Sequence, residues 1–122
     1  VALRPEAGGH RISVYDWELS TIGPPQRDLA EWLCFTLPPD VAPAVVWRLV
    51  DRHRDAFVAA GGPVTDPAGW HAGLVSSLAM LLVDRLATYT MIQRVRPQAF
   101  LPRVVQTWAR VFAIADEDGQ WR

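Results

Sequence analysis

At 122 residues the chain has the length of one ordinary domain, enough to bury about two-thirds of its unfolded surface. Half of the residues are hydrophobic and six are Trp, which excludes a disordered chain and leaves room for an exposed apolar face. With 12 basic against 13 acidic residues the net charge is −1, so no global field favours nucleic acid or an anionic membrane, and neither is an expected partner.

The first β-prone runs are Val1–Leu3 and Ile12–Tyr15, separated by "PEAGGH", whose Gly8-Gly9 supplies the positive φ of a tight reversal; this predicts a β-hairpin. Its second arm ends at Asp16. Residues 17–27 form a loop, because Gly23-Pro24-Pro25 joins a flexible residue to two without a backbone donor. From Gln26 the period changes: Leu29, Trp32, Leu33 and Leu37 follow helical spacing up to Pro38-Pro39. A second helix runs from a cap at Asp40, with Pro43 in its first turn, to about Ala60, where Gly61-Gly62 ends it. Val46, Leu49, Val50, His53 and Phe57 make its inward stripe, and Arg48, Asp51, Arg52 and Asp55 its wet face.

Thr65-Asp66-Pro67 opens the third and longest helix, which runs to about Val95. Its middle is apolar nearly all round, so it is expected to lie between other helices. The continuous apolar run within it, Gly73 to Val83, falls short of the ~20 residues that span a bilayer. A fourth helix, from about Gln98 to Ala115, packs through Leu101, Val105, Trp108, Val111 and Phe112. The fold class is α+β and mostly α: a hairpin followed by about four helices, with residues 28–122 as a helical subdomain. No signal-peptide pattern precedes it, and the single Cys34, which excludes an internal disulfide, suits a reducing cytoplasm.

Two carboxylates frame the first loop, Asp16 at the strand end and Asp28 at the helix start. A carboxylate held at a strand end can face a cleft and suits a hard cation such as Mg²⁺. Asp28, in a first helical turn, is favoured there by the dipole and the free backbone donors, and a cap is its default role. Taken in order, Asp16, Trp17, Glu18, Ser20, Gly23, Pro25, Asp28, Leu29 and Ala30 make the segment resemble the metal-binding segment of the aminoglycoside phosphotransferase family of kinase-like enzymes. Pro24 stands where that family commonly has an acidic residue. The match covers about a fifth of the chain; the elements before and after it agree in order and type.

The resemblance implies the C-lobe of a protein-kinase-like fold, ATP or another NTP with Mg²⁺ as cofactors, and a small-molecule hydroxyl as acceptor. Asp16 would be the Mg²⁺-binding carboxylate, Asp28 a buried anchor accepting hydrogen bonds from the catalytic-loop backbone, and Trp17 and Glu18 neighbours of the nucleotide and substrate cleft. Such an enzyme also needs a His-x-Asp-x-x-x-x-Asn catalytic loop and a nucleotide-clamping Lys. Residues 1–15 contain neither Asp nor Asn, and the chain has no Lys. The sequence is therefore expected to be the C-terminal part of a C-lobe, inactive alone, with the N-terminal part or a complementary chain as its partner. A degenerate, non-catalytic scaffold or partner-binding module is the alternative.

Other signals read as structure. His53 and His71 lack partners at ligand spacing, and His10 is a solvated hairpin residue. Cys34, among Trp32, Leu33 and Phe35, reads as a buried inert thiol. Ser76-Ser77 lacks a nucleophile elbow. Arg48, Arg52 and Arg54 alternate with Asp51 and Asp55 as an ion-paired wet face. Trp70, Tyr89 and Trp108 read as core; in kinase-like C-lobes, positions such as Trp70, Asp84 and Tyr89 can also line the acceptor pocket.

Overall fold

The computed structural model of the chain describes residues 2–13 and 22–116. Strands β1 (Ala2–Glu6) and β2 (Gly9–Ser13) pair antiparallel, with Glu6 opposite Gly9 and Arg4 opposite Arg11. The reversal takes only Ala7-Gly8, and Gly8 adopts φ +95°, a left-handed backbone that a side chain would strain. Both strands consequently extend into the "PEAGGH" stretch that the sequence assigns to the turn. An ion pair of 3.5 Å between Arg11 and Glu6 crosses the hairpin near its tip. The expected end of the second arm at Asp16 lies outside the described residues.

Four helices follow: α1 (Gln26–Thr36), α2 (Pro43–Ala59), α3 (Pro67–Gln93) and α4 (Leu101–Ala115). The mostly helical α+β class expected from the sequence is the one observed. Pro43 and Pro67 each open a helix, and the residue before each is extended, because proline bars its predecessor from helical backbone. For α3 that predecessor is Asp66, whose carboxylate accepts the Gly69 N–H at 2.8 Å, the cap the sequence predicts. For α2 it is Ala42, which places the expected cap Asp40 too far upstream to serve. Helix α4 starts at Leu101, not Gln98, with Pro102 in its opening turn.

The core joins Leu29, Ala30, Leu33 and Cys34 of α1 to Val46 and Val50 of α2, to Trp70, Leu74, Leu78 and Leu81 of α3, and to Leu101, Val104, Val111 and Ile114 of α4. On α2, Leu49, His53 and Phe57 are only half-buried. On α4 the stripe is rotated from the expected one: Val104 and Thr107 are buried while Val105 is exposed. Side chains of α4 satisfy the open carbonyls at and beyond the end of α1. Arg103 donates to the Phe35 and Leu37 carbonyls at 2.8 and 3.2 Å, Thr107 to Leu37 at 3.2 Å, and Arg110 to Val41 at 3.1 Å.

Helix α3 is not uniform. Between α-helical Pro67–Leu81 and Ala87–Gln93 lies a π-helical turn, Leu82–Leu86, in which the Ala87 N–H reaches back to the Leu82 carbonyl. The Trp108 indole donates to the Leu78 carbonyl, one turn upstream, at 2.9 Å. The expectation that the middle of α3 lies between helices holds for Leu74, Val75, Leu78 and Leu81 and fails for Met80, Leu82 and Val83, which are exposed. At 27 residues, α3 as a whole is long and apolar enough by composition to cross a membrane, with 28% of its most apolar window buried.

Candidate functional site

Asp28 and Glu31 both stand in the first half of α1, three positions apart and so on neighbouring parts of its surface. Both line a groove of about 900 Å³ between α1 and α2. Leu29 and Trp32 from α1 and Leu49 and Ala56 from α2 supply its apolar walls, while Arg52 and His53 complete the polar rim. Trp32 is 49% exposed, a large ring left open to solvent at the groove.

Asp28 is in the first turn of α1, as the sequence places it, but α1 is capped at Pro25 without any side-chain hydrogen bond. The Asp28 side chain is solvent-exposed, and no hydrogen bond or ion pair to its carboxylate occurs among the described residues. The catalytic-loop backbone that the resemblance assigns to it as a partner is not part of the sequence. Its charge nevertheless acts on its surroundings. Burial holds the His53 imidazole below its ordinary 6.5, and the Asp28 carboxylate opposes that shift. The His53 ring lies 5.5 Å from that of Trp70, and its Nδ1 is buried without a hydrogen-bond partner among the described residues.

On the other side α1 is tied to the π-helical turn of α3. Arg27 meets Asp84 at 3.6 Å and Glu31 meets Arg85 at 3.2 Å. The Arg85 guanidinium is raised further in pKa, first by its hydrogen bond with Tyr89 and then by the Glu31, Tyr89 and Asp28 charges, with burial opposing. Tyr89 in turn packs edge-on against Phe35 and Phe100, at 6.4 and 5.7 Å between ring centres. Asp84 and Tyr89, singled out by resemblance, therefore both lie along α1, Asp84 beside its first turn and Tyr89 beside its last, with Arg85 between them. Trp70 does not join them, being fully buried, with its Nε1 lacking a hydrogen-bond partner among the described residues.

Asp16, Trp17 and Glu18 lie outside the described residues. Among the described residues no three His, Cys, Asp or Glu side chains group to hold a metal ion. The remaining signals behave as structure: His71 stacks on Trp47 at 4.4 Å and approaches Asp51 at 3.6 Å, Arg54 pairs with Asp51 and Asp55, and Ser76 donates to the Ala72 carbonyl. Sequence reasoning missed Glu31, Trp32 and Arg85 as neighbours of Asp28. The spacing of Asp28, Glu31 and Trp32 at i, i+3 and i+4 carried that signal for α1; nothing local pointed to His53 or Arg85.

No family model, no curated protein and no solved structure matches the chain.

Proposed function

We propose that the chain is the C-terminal part of the C-lobe of a cytoplasmic, ATP-dependent phosphotransferase of the aminoglycoside phosphotransferase type, acting on a hydroxyl of a small molecule. The observation that carries this reading is the ordered run Asp16-Trp17-Glu18, Gly23-Pro24-Pro25, Asp28-Leu29-Ala30, with a helix starting at Gln26 so that Asp28 sits in its first turn. Asp16 would hold Mg²⁺, which supplies charge neutralisation on the nucleotide phosphates. Trp17 and Glu18 would flank that cleft.

In this reading Asp28 braces the catalytic-loop backbone contributed by the upstream part of the protein. Two features support it. The Asp28 carboxylate is free to accept N–H donors, and it opens onto a groove whose apolar walls include the half-exposed Trp32. A packed segment there would convert an exposed acid into a buried, hydrogen-bonded one, the environment in which a carboxylate holds a loop most firmly. The same groove supports the second reading, a non-catalytic module that binds an apolar segment of another chain.

The test is made on the natural gene. Translation upstream of Val1 is expected to contain His-x-Asp-x-x-x-x-Asn followed directly by the hairpin, and the full-length protein is expected to release ADP in the presence of hydroxylated small molecules. Asp16→Ala should reduce turnover about 1000-fold or more, because the charge that offsets the phosphates is lost. An open reading frame without the loop, or ADP release unchanged by Asp16→Ala, overturns the proposal in favour of the binding module.

A further inference from the structure

Acidic and basic residues balance in number along this chain but not in place. From Arg85 to Ala115 there are five arginines, Arg85, Arg94, Arg96, Arg103 and Arg110, and no Asp or Glu. Arg85 is paired with Glu31, and Arg103 and Arg110 donate to backbone carbonyls. Arg94 and Arg96 are exposed, and neither has a carboxylate partner among the described residues. They flank Val95 at the corner between α3 and α4.

The apolar residues at this corner face water as well. Val95 is 90% exposed, Met91 64% and Ile92 41%. The corner is nonetheless well tied: the Val95 and Arg96 N–H groups both donate to the Ile92 carbonyl, at 2.9 and 2.8 Å. The Gln93 side chain accepts the Gln98 N–H, and the Gln98 amide donates to the Arg96 carbonyl at 3.2 Å. Behind it, Phe100 packs on Phe35 and Tyr89. A formed turn thus exposes Val95 between two guanidinium groups without a carboxylate partner among the described residues, with Met91 and Ile92 exposed in the helical turn just before them. Met80 and Val83, further back on α3, are exposed as well.

We propose that this corner docks on an anionic lipid surface, with Val95, Met91 and Ile92 entering the headgroup boundary and Arg94 and Arg96 engaging lipid phosphates. Interfacial attachment combines these two features, apolar side chains at the boundary and basic residues meeting anionic headgroups. An apolar protein surface would cover the valine and methionine but strip water from two arginines without replacing it. The balanced total charge argues only against long-range attraction; contact within a Debye length responds to the local charge. The proposal goes beyond the phosphotransferase reading and does not rest on it.

Co-sedimentation of the full 122-residue chain with phosphatidylcholine vesicles, with and without phosphatidylserine, tests the inference. Binding is expected only when phosphatidylserine is present, weakening as salt is raised. Exchanging both arginines, Arg94→Gln with Arg96→Gln, should weaken partitioning about 10-fold or more, since each basic residue near such a surface contributes roughly a 5-fold factor. Val95→Asp should abolish binding, and Arg48→Gln, an exposed arginine on α2, should leave it unchanged. Circular dichroism identical to the parent shows that the variants remain folded. Absence of vesicle binding, equal binding to neutral vesicles, or equal loss in Arg48→Gln overturns the proposal. So does a lipid-independent dimer, seen by sedimentation, that Val95→Asp dissociates, since the corner would then be covered by a second copy.

Discussion

Cys34 makes stability at alkaline pH depend on one buried thiol. It lies on the inner face of α1, fully buried, and burial, reinforced by the Glu31 carboxylate, pushes its pKa from 9.0 up to about 12. In the unfolded chain the same thiol is solvated and ionises near its ordinary value. Below pH 9 both states carry the proton and the thiol's contribution is fully present. Above it the unfolded state gives up its proton while the folded state keeps it, so stability falls with rising pH until the folded thiol also ionises. Three units at 1.36 kcal/mol each correspond to about 4 kcal/mol over the whole window, and to about 2 kcal/mol by its midpoint. That is a large share of a total stability of about 5–15 kcal/mol.

Urea unfolding of the parent and of Cys34→Ala at about pH 8 and about pH 10.5 reads the effect directly. The substitution should cost about 1 kcal/mol at the lower pH, for the packing lost with the sulfur, and should recover relative to the parent by about 2 kcal/mol at the higher one. Tyrosine and arginine titrations are common to both proteins and cancel in the comparison. A thiol reagent should leave the folded parent unmodified and react fully in urea. Parallel losses of stability in the two proteins, or rapid labelling of the folded state, would refute the assignment of a desolvated, protonated thiol.

Two further expectations concern α2 and α3. His53 has a lowered folded pKa, so its contribution to stability is present above 6.5 and is lost as pH falls through the folded value, the unfolded state taking up the proton first. His53→Phe, which keeps a ring against Trp70, should flatten that acid limb, and an NMR titration should find the His53 midpoint below 6.5. Asp66→Ala removes the side-chain bond to the Gly69 N–H and should destabilise the fold by about 1 kcal/mol in thermal or urea unfolding, with Asp66→Asn recovering most of the loss.

Of the candidate site, the sequence carried what a single segment can carry. The Asp28-Leu29-Ala30 helix start was readable because Gly-Pro-Pro ends one backbone regime and the apolar period that follows begins another. That Asp28 stands at a groove walled by Leu49 and Ala56, and feels His53 and Arg85, was not readable. Those neighbours come from α2 and α3, and the angle at which helices cross is set by packing over the whole core. The π-helical turn that positions Asp84 and Arg85 beside α1 leaves no mark in composition, since its residues suit an ordinary helix equally well.

Where the rule is local, the amino-acid order determined the outcome. Asp66-Pro67 caps α3, Gly8 turns the hairpin, and Leu74, Leu78 and Val111 find the core, because capping, positive φ and the helical repeat act within a few residues. Tertiary structure decided which apolar faces are covered. Val83 and Val95 are as hydrophobic as Val75 and Val104, yet the first two stand in solvent and the second two inside, because hydrophobicity creates a demand for burial while only a neighbouring element can meet it.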